Sequence, residues 1–145
     1  MGTWHVGPFD NDVAMDLFDE IEETPDEQVL RKLSSVLSAV AGRPGRVELH
    51  EGHLAVAAAG LVAAGRSRSA ATGNPSVDEW LSLHRPPADP DSARIALAAL
   101  DRVGGPDSEW MDLWAGTEQH TEVEERLDGL RAVLGAGLAP SYEPS

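Results

Sequence analysis

Two short stretches carry residue types that could do chemistry. His50-Glu51-Gly52-His53 sets two imidazoles around a carboxylate, and Asp10-Asn11-Asp12 gathers carboxylate and amide oxygens. A zinc-binding helix of the zincin kind needs its histidines four apart, so that both rings meet one metal, with a glutamate beside the first. Here the spacing is three, and Gly52 weakens the helix where rigidity would be wanted. The four residues read better as the polar mouth of an apolar helix, with Glu51 favoured by the helix dipole. Asp10-Asn11-Asp12 looks like the first half of a calcium loop. Met15 and Ile21 stand where that loop requires glycine and a bidentate glutamate, so the reading fails. A looser magnesium site on Asp12 and Asp16 is unspecific.

Other reaction types lack their signatures. The chain has no cysteine, which removes thiol catalysis, disulfides and thiolate metal sites and fits a reducing cytoplasm. No phosphate-binding loop, GxSxG elbow or GxGxxG turn occurs, and no cofactor is implied. Nothing in the spacing marks one carboxylate pair for acid–base work, nor assigns a role to the five histidines. The enzymatic alternative that remains is a small carboxylate- or metal-assisted hydrolase with a site near Asp10, Asp12 and His50.

The pattern that calls hardest for an explanation is a stripe of charge. Asp12, Asp16, Asp19, Glu20 and Glu23 follow the spacing i, i+4, i+7, i+8, i+11, one face of a helix beside its apolar stripe. No lysine or arginine stands on that helix. Like charges four apart each cost roughly 0.2–0.5 kcal/mol, and only Asp12 is placed to gain from the dipole. Either cations from elsewhere in the fold cover the stripe, or a basic partner does.

Composition bounds the classes of function. The formal net charge of −14 argues against nucleic acid and anionic membranes as partners, while permitting a basic protein. With 145 residues and 41% hydrophobic content, the chain is the size of one domain with a real core. Its longest apolar run is far short of the roughly 20 residues a membrane span needs. The opening shows no basic segment followed by an apolar one, so no signal peptide is expected and the expected location is cytoplasmic.

Helices must position these residues. Leu54 to Ala64 is uninterruptedly apolar or glycine, and a helix apolar all round belongs in the middle of a fold. The chain is therefore read as organised around a central helix at about 50–64. Before it, Val13, Ala14, Leu17, Phe18 and Ile21 mark one amphipathic helix. Val29, Leu30, Leu33, Val36, Leu37 and Val40 mark a second, opened by a capping box of Thr24, Pro25 and Glu27. Gly42-Arg43-Pro44-Gly45 stops it, and Val47-Glu48-Leu49 is too short for a strand. After the centre, residues 65–74 read as an exposed loop, and Ser76 to Glu79 as a second capping box before a short helix through Trp80, Leu81 and Leu83. Asp89-Pro90 starts a helix with Ala93, Ala96, Leu97, Leu100 and Val103 on one side, ended by Gly104-Gly105-Pro106. Trp110 and Trp114, four apart, fit a buried helical face better than a recognition surface. A last helix runs to Leu134 with Val123, Leu127, Leu130, Val133 and Leu134 inward.

The opening Met1-Gly2-Thr3-Trp4, followed by Gly7-Pro8-Phe9-Asp10-Asn11-Asp12, resembles the domain-of-unknown-function family numbered 4259, small acidic proteins of actinobacteria. Trp4, Gly7, Phe9, Asp10, Asn11 and Asp12 match the family's usual opening, and His5 departs from it where glycine is frequent. The likeness extends more loosely over His50–Ala64 and Leu127–Leu134. It implies a compact bacterial domain and supplies no activity. Independently of it, Gly7-Pro8 bends the chain between two large apolar residues, so Trp4 and Phe9 are expected to fold back as plugs over the core.

The expectation is a single all-α domain of five to seven helices over residues 1–134, with a frayed Gly/Pro-rich tail at 135–145. Its expected role is non-enzymatic: an inhibitor or immunity-type interaction domain presenting an acidic helix face to a basic protein.

Overall fold

Among the described residues, the apolar repeats of the sequence resolve into seven helices: α1 (Asp12–Glu22), α2 (Asp26–Ala41), α3 (Leu49–Arg66), α4 (Pro75–His84), α5 (Pro90–Val103), α6 (Glu109–Trp114) and α7 (His120–Gly135). The computed structural model describes residues 11–67 and 74–136, and within them there is no strand. One continuous core takes residues from all seven helices, so the protein is a single all-α domain.

The centre is α3. It has no polar face, and Ala55 through Ala64 are all buried. It packs against α1, α2, α5, α6 and α7, while α2 and α5 also pack on each other and α5 meets α7. The surrounding helices are one-sided. On α1 the buried positions are Ala14, Leu17, Phe18 and Ile21, with Val13 only partly covered. On α2 they are Val29, Leu33, Leu37 and Val40, with Leu30 and Val36 at the margin. On α5 Ala99 joins the core and Leu97 drops to its edge; on α7 Leu130 and Val133 do the same. The small side chains of α3 let this ring of helices close in around it.

Two helix starts differ from the sequence reading. The box expected of Thr24 and Glu27 does not form: Pro25 is the N-cap of α2 and no side chain caps it. The Thr24 hydroxyl instead donates to the Glu20 carbonyl at 2.7 Å, closing the end of α1. Likewise Ser76 lies inside α4 rather than before it. Asn74 is the cap, its Oδ1 accepting from the amides of Ser76 and Val77, with Pro75 in the first turn. Asn74 thus offered a cap as good as Ser76 and moved the start of α4 by two positions, whereas Thr24, engaged with α1, left α2 to start at Pro25 without a side-chain cap. Helix α3 also runs to Arg66, so the expected loop at 65–74 begins two residues later; 68–73 lie outside the described residues.

Val47 makes one parallel bridge to Ser108, its amide bonded to the Asp107 carbonyl at 3.1 Å and its own carbonyl taking the Glu109 amide at 2.8 Å. That single rung ties the entry of α3 to the entry of α6. The tail expected from 135 starts one residue inside α7, and 137–145 lie outside the described residues. So do Trp4, Gly7, Phe9 and Asp10, and with them the expected plugs.

Candidate interaction surface

The first helix presents its carboxylates to solvent. Asn11 caps it, its Oδ1 accepting from the Ala14 amide at 2.8 Å, and Asp12 follows in the first turn where the dipole favours it. Phe18 and its apolar neighbours turn inward, which leaves Asp12, Asp16, Asp19, Glu20 and Glu23 exposed along the opposite face. No basic residue stands in the last turn. The structure thus brings these five residues together as the helical spacing requires.

Where the cations go decides whether the stripe is neutralised. Lys32 of α2 reaches Glu20 at 2.9 Å, and among the described residues it is the one cation paired with the stripe. Arg43 bonds Glu51 at 2.9 Å and lies 3.4 Å from Glu48. Arg46 is held by Asp112 and Asp107, Arg94 by Asp91, and Arg131 by Asp101 and Asp128. Arg66, Arg85 and Arg102 donate to backbone carbonyls. On α7, Glu122 has Arg126 within 4 Å on the same helix, a partial neutralisation that α1 lacks, and the His120 ring lies 3.7 Å from Glu124. An exposed pair such as Lys32–Glu20 contributes about 0–1 kcal/mol, so most of the stripe's repulsion persists.

The second candidate constellation resolves into a structural joint. Glu48 and Glu51 form a reciprocal capping box at the start of α3, the Glu48 amide donating to Glu51 Oε1 at 2.9 Å. Glu109 Oε1, from α6, accepts from the Leu49 amide at 3.0 Å. Trp110 Nε1 donates to His53 Nδ1 at 3.3 Å, and the Trp110 ring lies against Gly52. Burial pulls His53 below its ordinary value, and nearby His50 pushes it the same way. His50 itself is exposed. Asp10 lies outside the described residues, and no hydrogen bond or ion pair joins Asp12 to His50 among them. Nor does any group of three or more His, Asp or Glu side chains converge there as a metal-binding set.

Two further features complete the surface. Trp110 and Trp114 are buried and meet edge-on at 6.3 Å, so they belong to the core of the fold. Leu83 is 75% exposed, although the sequence pattern placed it with Trp80 and Leu81 along α4. Its displacement follows from α4 docking through Val77, Trp80 and Leu81, which turns Leu83 outward. The Glu48–Glu51 box is a local spacing, but the contacts of Glu109 and Trp110 with α3 carry no local signal, because those partners lie 60 and 57 residues away.

No described helix is long and apolar enough to cross a membrane. A family model described as a domain of unknown function (DUF4259) matches residues 2–126. No curated protein and no solved structure matches the chain.

Proposed function

The chain belongs to the DUF4259 family, whose description brings no activity, and we propose that it is a non-enzymatic interaction domain of the inhibitor or immunity type, presenting the acidic face of α1 to a basic protein. One observation carries this reading: the five exposed carboxylates share one helix face and have Lys32 as their one paired cation among the described residues. The remaining paired cations serve other carboxylates or backbone carbonyls. A face that keeps its repulsion in the free domain is relieved when cations from a partner arrive, and long-range charge speeds their encounter.

The test compares two variants of equal charge for binding an arginine- and lysine-rich peptide. One carries Asp16→Asn, Asp19→Asn and Glu23→Gln; the other carries Glu118→Gln, Glu124→Gln and Glu125→Gln near and on α7. Binding weakened mainly by the α1 set, most at low salt, supports the reading. Equal weakening by both sets would mean that net charge alone attracts cations, and the reading would fall.

A further inference from the structure

We propose that α6 is an acid-released latch: protonation of His53 at Nδ1 turns the acceptor of the Trp110 indole into a donor, and α6 opens from α3 while the other helices stay packed. The geometry is that of a short element held at one polar point. Six residues are too few to keep a helix without tertiary support, and among the described residues α3 is the one helix that α6 packs on extensively. There the Trp110 ring lies against Gly52, and Trp110 Nε1 donates to His53 Nδ1 at 3.3 Å. That nitrogen accepts only while it carries no proton. Once protonated, two N–H donors face each other beside the buried indole, where an unmade bond is costly. Helix α3 is also held by α1, α2, α5 and α7, so the loss stays local to α6. Opening uncovers the Trp110 and Trp114 rings, both buried in the closed domain.

The surroundings of His53 leave it free to act as the sensor. Burial and the nearby His50 are the two influences that lower its value, and no helix packed on α3 adds another charge that acts on it. The carboxylates around the joint are engaged elsewhere. Glu51 takes the Glu48 amide and Arg43, Glu48 lies 3.4 Å from Arg43, Glu109 takes the Leu49 amide, and Asp107 and Asp112 hold Arg46. On α7, Glu122 lies beside Arg126 and Glu124 beside the His120 ring. Among the described residues no carboxylate bonds or pairs with His53 to keep a proton on it. Opening returns the ring to water and to its ordinary 6.5, so acid favours the open form. The opening constant therefore grows by up to about tenfold per pH unit below that value and levels off past the folded one.

Hydrogen exchange followed by NMR tests this on the amides of Asp112 and Ala115, which bond to the carbonyls of Ser108 and Met111. Their protection, corrected for intrinsic exchange rates, should fall with acid by up to about tenfold per pH unit. Dilute urea should leave it unchanged, because a local opening exposes little surface. Core amides such as those of Leu37 and Ala96 should be better protected and urea-dependent. His53→Asn sets an oxygen as far along the side chain as Nδ1 and cannot titrate, so it should abolish the fall. Constant protection in the wild type, or the same fall in His53→Asn, overturns the proposal. So does a urea dependence equal to that of the core, which would make the opening global. The wild-type ring gives a reading that needs no variant: His53 carbon signals titrating at 6.5 or above overturn the latch, because closure then does not oppose protonation.

Discussion

Gly52 and Trp110 share one space: a β-carbon on Gly52 would fall well inside contact distance of Trp110 Cβ, Cγ and Cδ1. The glycine that spoils a metal-binding reading of His50 to His53 is therefore the seat on which α6 rests. Gly52→Ala should force α6 away and lower stability by about 1–3 kcal/mol, as overpacking does elsewhere. Urea unfolding followed by tryptophan fluorescence measures it. An unchanged midpoint would mean that α6 does not dock on this turn.

His53 accepts from Trp110 through Nδ1, so the bond requires that nitrogen unprotonated. Burial, then His50, hold its folded value below the ordinary 6.5. As pH falls through about 6.5, the unfolded chain takes up a proton that the folded chain resists. Stability from this group is therefore fully present above that value. It declines with acid until the lowered folded value is passed, and then levels off. His53→Gln should flatten this part of the curve of urea midpoint against pH. Parallel curves for the two proteins would acquit His53.

Close packing around α3 makes a graded prediction. Gly60 is buried along with its neighbours, and Gly60→Leu should cost about 1–3 kcal/mol. Gly65→Ala is the smaller change at the more rigid site, because its β-carbon would lie 2.5 Å from the Pro86 carbonyl oxygen and 3.0 Å from Ala88 Cβ. Both should depress the thermal midpoint. If Gly60→Leu leaves the melt unmoved, α3 has a free face and the central-helix architecture is wrong.

The acidic stripe predicts an unusual sign. Asp19→Asn together with Glu23→Gln should leave the free domain equally or more stable, because repulsion is relieved and no ion pair among the described residues is lost. Chemical denaturation at low and high salt reads this directly, with any gain shrinking as salt rises. A loss of more than about 1.5 kcal/mol would show that the two carboxylates hold the fold together.

Asp89 offers a control of known type. Its side chain accepts from the Ser92 amide at 2.8 Å and Ser92 answers with a bond to the Asp89 amide at 3.0 Å. The Ser92 bonds hold its carboxyl below the usual 3.8. Its contribution is thus present above that value and lost as pH falls through the lowered folded one. Asp89→Ala should cost about 1 kcal/mol at neutral pH, the common size of a lost cap. A neutral-pH denaturation midpoint matching that of the wild type would show that the box is idle.

The sequence reading and the structure agree most closely where a signal repeats along a helix. The central segment was legible because eleven consecutive residues without a polar side chain have one stable place, surrounded by other helices. The inward faces of α1, α2, α5 and α7 followed from their spacing, with errors confined to marginal residues such as Val13 and Leu97. Helix starts were less legible. Thr24 and Ser76 are good caps by type, but Thr24 turns its hydroxyl back onto α1 and leaves Pro25 at the start of α2 with no side-chain cap, while Asn74, a short polar residue of equal capping strength, takes the place of Ser76.

By itself, then, the sequence determined an all-α domain with α3 at its centre and a run of carboxylates on one face of α1. Those properties depend on residues within a turn or two of each other, and burial of apolar surface enforces them whatever the connectivity. Only the tertiary structure decided which charges are satisfied. Arg46 finds Asp112 66 residues away, Glu109 caps an amide 60 residues back, and Trp110 reaches His53 across 57. Such pairings depend on how helices dock, and the intervening chain carries no trace of them. For the same reason the tryptophan pair was settled as core, and Leu83 as surface, only once α6 and α4 had packed.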